Sequence, residues 1–148
     1  MITPRGRRVA IDVGSVRVGV AVCDPDGILA TPVETVQRTK HDGDVERVVA
    51  IVDEYEAIGV IVGLPRTLRN TDGPAVEAAR AFGDRVEAKL TGRDTLPDVT
   101  VEYHDERLTT VTATTALRAS GVKAKNARAV VDQAAAVAIL QGWLDARR

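Results

Sequence analysis

Three short apolar runs stand in the first 36 residues, before any helical spacing begins, and this order constrains the fold more than any other feature. Residues 7–13 (RRVAIDV) form a compact apolar run ending at Gly14, as a buried strand does. Val16, Val18, Val20 and Val22 then alternate with Arg17, Gly19, Ala21 and Cys23, the period of a second strand. The Gly14-Ser15 connection is short enough to make the two a hairpin. Asp24-Pro25-Asp26-Gly27 is a turn, in which Pro presets φ and Gly supplies a positive φ. Residues 28–36 read as a third strand. Pro32 inside it has no N–H to donate, which places that strand at a sheet edge.

Helices and strands alternate from there. Val45, Val48, Val49 and Val52 follow helical spacing, with Asp42 or Asp44 as the N-cap and Gly59 as the closing residue. Residues 60–62 form a fourth strand stopped by Gly63-Leu64-Pro65. Asp72 and Pro74 mark the next helix start, and Val76, Ala79, Gly83, Val86 and Leu90 give that helix one apolar face. Val99, Val101 and Tyr103 alternate as a fifth strand. Helices over 107–119, ended by Gly121, and over 130–144, opened by Asn126, complete the order βββαβαβαα. Right-handed crossovers put strand 1 beside strand 4 and strand 4 beside strand 5. The expectation is an α/β fold: a mixed five-stranded sheet of order 3-2-1-4-5, strand 2 antiparallel, with helices on both faces. This is the ribonuclease-H-like layout. No repeat or linker divides residues 1–148, so a single domain is expected, with residues 1–6 flexible.

Composition narrows the function classes. Lys+Arg (20) balances Asp+Glu (21), which excludes a globally basic nucleic-acid binder but leaves room for a local basic patch. Cys23 is the single cysteine, so neither a disulfide framework nor a cysteine-rich zinc site is available; it reads as a small buried hydrophobe. No apolar run has the length of a membrane span, and no apolar core follows the basic N-terminus as in a signal peptide. A soluble, cytoplasmic protein without a membrane partner is expected. Trp143 shares helical spacing with Ile139 and Leu140, which suits core packing.

Carboxylates carry the functional signal. Asp12 lies inside an apolar strand, where a charge is costly unless paired or bound to a cation. Capping of the hairpin turn is the alternative. Asp105 is a natural N-cap, and Glu106 a first-turn acid favoured by the helix dipole. If strand alternation continues, His104 and Glu106 share the face opposite Tyr103 and Asp105. Asp132 is the sole acid in an apolar, Ala-rich stretch, and an exposed helix edge is its bland role. Strands 1, 4 and 5 are expected to be parallel, so Asp12 and Asp105-Glu106 fall at the sheet edge where open α/β sheets bind ligands. A last helix laid across the sheet brings Asp132 there too. Converging carboxylates repel one another, and divalent cations relieve the repulsion. Oxygen-only donors suit Mg²⁺ or Mn²⁺.

The segments IDVGSVRVGVAV (11–22), VGLP (62–65), DERLTT (105–110) and VDQAAAVAILQ (131–141) resemble, in order and spacing, the YqgF/RuvX family of ribonuclease-H-like proteins. The resemblance covers nearly the whole chain. It implies a metal-dependent nuclease linked to 5′-end maturation of pre-16S rRNA, or to resolution of Holliday junctions in branched DNA. It maps the conserved acids onto Asp12, Glu106 and Asp132, with Asp105 able to share the metal-ligand role of Glu106. Relative to ribonuclease H and the RuvC resolvases, the acid set is thin: the fourth strand ends in Gly63 rather than a carboxylate.

Basic residues suggest how nucleic acid is held. Arg118, Lys123, Lys125 and Arg128 cluster shortly before Asp132, and Arg17, Arg66 and Arg69 flank the same expected edge. Arg17, Arg66, Lys123, Lys125 and Arg128 are the candidate phosphate contacts, against the alternative of a solvated loop. Aromatics are 3% of the chain, so recognition rests on backbone charge and shape. Thr109 and Thr110 suit either phosphate binding or helix capping. Two rivals to a nuclease are a weakly catalytic RNA-binding module and an actin- or sugar-kinase-like ATPase, which needs two such domains around its cleft. Monomer and homodimer are both open.

Overall fold

The β-branched runs pair as their order requires. The computed structural model describes residues 5–65, 73–91, 99–106 and 131–147. Its strands are β1 (Arg8–Val13), β2 (Arg17–Cys23), β3 (Ala30–Gln37), β4 (Gly59–Leu64) and β5 (Thr100–Asp105). Its helices are α1 (Gly43–Glu54), α2 (Pro74–Thr91) and α3 (Val131–Asp145). The sheet order is β3-β2-β1-β4-β5. β2 is antiparallel to β1 and β3, and β1, β4 and β5 run parallel. Pro32 lies on edge strand β3, where Glu34 pairs with Val20 and Pro32 with Ala21. Val33 is therefore the extra residue of a bulge, which with the missing N–H blunts that edge.

Side chains alternate between two unlike layers. Val9, Ile11, Val18, Val20, Val60 and Val62 pack against the apolar stripes of α1 and α2, with Val48, Ile51, Phe82 and Val86 at the centre. Burying each of these large side chains contributes about 1.5–3 kcal/mol. On the other face Ala10, Ala21, Cys23 and Ala30 are small, so α3 comes close and fills the space with Ile139, Leu140 and Trp143. Trp143 is a core residue, flanked by the Arg8 and Arg147 guanidiniums. Cys23 is buried and accepts the Arg8 amide, which accounts for it without chemistry.

Four boundaries differ from the sequence expectation, each for a local reason. Val16 lies in the β1–β2 turn and not in β2, because the Gly14 N–H closes on the Arg17 carbonyl at 2.8 Å. Ile28 and Leu29 are held outside β3: the Asp24 carboxylate accepts their amides at 2.9 and 2.7 Å. Gly59 does not close α1. The helix ends at Glu54, and Glu56 takes the left-handed conformation (φ 51°) while the Ala57 and Glu56 amides return to the Val52 and Asp53 carbonyls. Gly59 instead opens β4. Gly63 and Leu64 do not stop β4 but extend it, pairing with His104 and Asp105. At the start of α1, Asp42 occupies the cap position without a side-chain capping bond, and the Thr39 hydroxyl accepts the Asp44 amide. The helix expected over 107–119, Gly121, Asn126 and Asp72 lie outside the described residues.

Candidate active site

Asp12 stands next to last in β1, on the α3 face by its alternation with Ile11. Its antiparallel partner on β2 is Gly19. On β4 the parallel register runs to Ile11 beside Val62, which puts Gly63 at the level of Asp12. The carboxylate is thus bordered on both neighbouring strands by residues without side chains. Among valine-rich strands, such glycines mark a place where something must approach the backbone closely. From sequence Asp12 stands out, Gly19 does not, and Gly63 reads as a strand stop; two glycines level with an acid are the signal the sequence carries.

Glu106 directly follows β5 and returns over the same face. A Cβ at Gly63 would lie 3.2 Å from Glu106 Oε2 and would run into the Ile139 side chain. The alternation expected for β5 holds: Tyr103 packs on the α2 side against Gly83, whereas Glu106 lies beside Ile139 of α3. Oε2 of Glu106 is buried and has no hydrogen-bond partner among the described residues. Burial raises its pKa to about 7, and the negative charges of Asp12 and then Asp105 add to the shift. Asp12 and Asp105 are therefore each within electrostatic reach of Glu106. His104, buried on β5, is pushed below the usual histidine range by burial and then by Arg147, and favours its neutral form.

α3 supplies the third side of the site. Gln133, one residue after Asp132, donates to the Thr35 hydroxyl at 3.2 Å. Thr35 pairs with Gly19, the partner of Asp12. The N-terminal end of α3 therefore crosses the sheet at the level of Asp12, and Asp132 occupies that end; its side chain is outside the described set. Arg17 opens β2 and is exposed, one turn from Asp12. Arg66, Arg69, Thr109, Thr110, Arg118, Lys123, Lys125 and Arg128 lie outside the described residues.

The donor chemistry fits a hard divalent cation. Glu106 presents a buried carboxylate oxygen with no described partner, beside a second acid, and the donors are all oxygen. The described residues alone do not assemble three His, Cys, Asp or Glu side chains into a metal-holding group. Any such site needs a donor from the segments flanking this core, as Asp132 would provide. No helix among the described residues is long and apolar enough to cross a membrane.

Comparison with known proteins agrees with this frame. A Nocardia farcinica protein is 60% identical over 97% of this chain and 79% of its own length, and bears the name "Putative pre-16S rRNA nuclease". A Mycobacterium ulcerans protein of the same name is 54% identical, covering 99% of this chain and 82% of its own. Among solved structures, T. thermophilus RuvC in complex with Holliday junction substrate superposes with a TM-score of 0.67. That match covers 96% of this chain and 95% of the other at 17% identity, a likeness of fold. The yeast mitochondrial Holliday junction resolvase Ydc2 gives a TM-score of 0.57 at 9% identity, covering 97% of this chain and 80% of the other. Residues 6–146 match the RuvX family, described as Holliday junction resolvase, and the chain belongs to that family.

Proposed function

We propose that this RuvX-family nuclease is metal-dependent, hydrolysing phosphodiester bonds in 5′-end processing of pre-16S rRNA, in the cytoplasm. Asp12, Glu106 and Asp132 are the ligands and catalytic groups, with Asp105 as a further donor, and Mg²⁺ or Mn²⁺ the cofactor. The observation that carries the reading is the buried Glu106 oxygen, unpartnered among the described residues, beside Asp12 at the C-terminal edge of the parallel strands. A bound divalent cation supplies activation of water and stabilisation of the leaving oxygen. The chain does the rest. β1 fixes Asp12 at the edge, Gly63 lets Ile139 and the Glu106 carboxylate close on the sheet beside it, and Gly19 borders it on β2. Glu106 would give up its proton to a bound cation, whose charge would offset the burial and the repulsion from Asp12 and Asp105 that keep it protonated. Arg17, Arg66, Lys123, Lys125 and Arg128 hold substrate phosphates.

The family description favours a second reading, a Holliday junction resolvase acting on branched DNA. Labelled precursor rRNA and four-way DNA junctions, each with Mg²⁺, Mn²⁺ or EDTA, separate the two. Metal-dependent trimming of the RNA that is lost in Asp12→Asn, Glu106→Gln and Asp132→Asn is the expected result. Paired cuts in the junction with the RNA untouched would transfer the assignment to recombination. Binding without cleavage of either would leave a binding module.

A further inference from the structure

The β1–β2 turn joins Asp12, near the end of β1, to Arg17, at the start of β2. Ser15, Val16 and Arg17 are exposed, and packing alone does not hold the turn. Besides the Gly14–Arg17 bond across the turn, two bonds from one residue do. Arg38, directly after β3, donates its backbone N–H to the Val16 carbonyl at 2.9 Å and its Nη1 to the Gly14 carbonyl at 2.8 Å.

The guanidinium is itself fixed. Its Nε donates to Asp44 Oδ2 at 3.0 Å, and it stacks 5.3 Å from the centre of the Phe82 ring. Asp44 is a fully buried carboxylate in the first turn of α1. It also accepts the Val45 amide at 2.8 Å and the Thr39 amide at 3.4 Å, and lies 3.7 Å from Arg85 of α2. Burial would raise its pKa, but those amides and Arg38 outweigh burial and keep it ionised. Asp44 is thus an anchor in the helical layer, with Arg38 as the rod from it to the turn. A planar guanidinium can satisfy Asp44 and Gly14 at once, which an ammonium cannot do in the same geometry.

We propose that Arg38 is a positioning residue: clamped by Asp44 and Phe82, it fixes the Gly14–Val16 turn and thereby aims Asp12 for cation binding. The inference rests on the metal-nuclease reading. An instructive control is Arg47 of α1, which pairs with Glu34 of β3 at 2.6 Å. It ties α1 to β3, the strand that Arg38 follows, without reaching the turn.

The test measures Mn²⁺ binding by calorimetry, thermal unfolding and cleavage in Arg38→Ala, Arg38→Lys, Arg47→Ala and Asp12→Asn. Arg38→Ala is expected to weaken Mn²⁺ binding roughly tenfold or more, the size of effect seen when a partner that orients a ligand is lost. Arg38→Lys should not rescue it. Arg47→Ala should keep wild-type affinity and rate. If Arg38→Ala fails to fold, Arg38→Lys carries the measurement. Wild-type Mn²⁺ affinity in a folded Arg38 variant would overturn the positioning role. Loss of stability in Arg38→Ala with unchanged affinity would do the same. Asp12→Asn keeps the two claims apart: cleavage at the wild-type rate in Asp12→Asn would defeat the nuclease reading itself. An inactive Asp12→Asn beside an unaffected Arg38→Ala would defeat only this inference.

Discussion

The two faces of the sheet are built on opposite rules. Toward α1 and α2 the strands present Val9, Ile11, Val18, Val20, Val60 and Val62, and Phe82 is buried among them. Toward α3 they present mostly alanine, cysteine and glycine, with Ile61 of β4, and at one end of that face lie Asp12 and Glu106. The first face is optimised for burial. The second gives up burial at one end, leaving a carboxylate oxygen desolvated and unpartnered among the described residues. A buried acid in that state destabilises the fold, and its presence beside a second acid is what motivates the proposal that the end of the α3 face is the working one.

The contrast is broken most strongly by one substitution on each face. Asp12→Asn should lower cleavage by roughly a thousandfold or more, given the several kcal/mol that metal-ion catalysis supplies. It should leave the melting temperature of the metal-free protein equal or higher, since it removes repulsion with Glu106. Phe82→Ala should do the reverse. It costs about 3–5 kcal/mol of stability, while cleavage per folded molecule persists below the lowered melting temperature.

A pair of glycines sharpens the comparison. At Gly83, on the α2 side, an added Cβ would meet Tyr103 Oη at 2.5 Å and Cζ at 3.0 Å. At Gly63, on the α3 side, it would meet Ile139 and Glu106. Both Ala variants should lose about 1–3 kcal/mol by overpacking. Only Gly63→Ala should also weaken Mn²⁺ binding, because only there is the displaced neighbour a proposed ligand. Equal Mn²⁺ affinity in the two variants would show that the faces are not functionally distinct.

The smallest effect is on stability against pH. Glu106 has a folded-state pKa raised to about 7 by burial, Asp12 and Asp105. Its contribution is therefore fully present below the ordinary carboxylate range and is lost as pH rises through about 7. Glu106→Gln should stabilise the metal-free protein above that pH relative to wild type, and much less below it. Chemical denaturation on both sides of neutrality reads this directly. A constant difference would place Glu106 in water instead of in the buried site.

What the sequence made legible follows the same division. Period-two valines and helical stripes encode burial on the aliphatic face, so strand order, edge strand β3 and the α2 stripe could all be read from them. Asp12 and Glu106 were visible as acids where burial is costly. Hidden were the features that depend on contacts between distant segments. Asp44 looks like a helix cap, yet its role comes from Arg38 and from burial under α2. Gly63 looks like a strand stop, and only the arrival of α3 shows why no side chain fits there. Asp24 looked like part of a turn, and its capture of the Ile28 and Leu29 amides shortened β3.

The central claim, that the glycine-bordered end of the α3 face is a cation site governed by Glu106, is tested most directly by Mn²⁺ affinity measured against pH. Wild-type affinity should rise with pH and level off above about 7, as Glu106 loses its proton. In Glu106→Gln the affinity should be weak throughout, with no change near that pH. Tight Mn²⁺ binding by Glu106→Gln, or wild-type affinity that does not change across neutrality, would contradict the account.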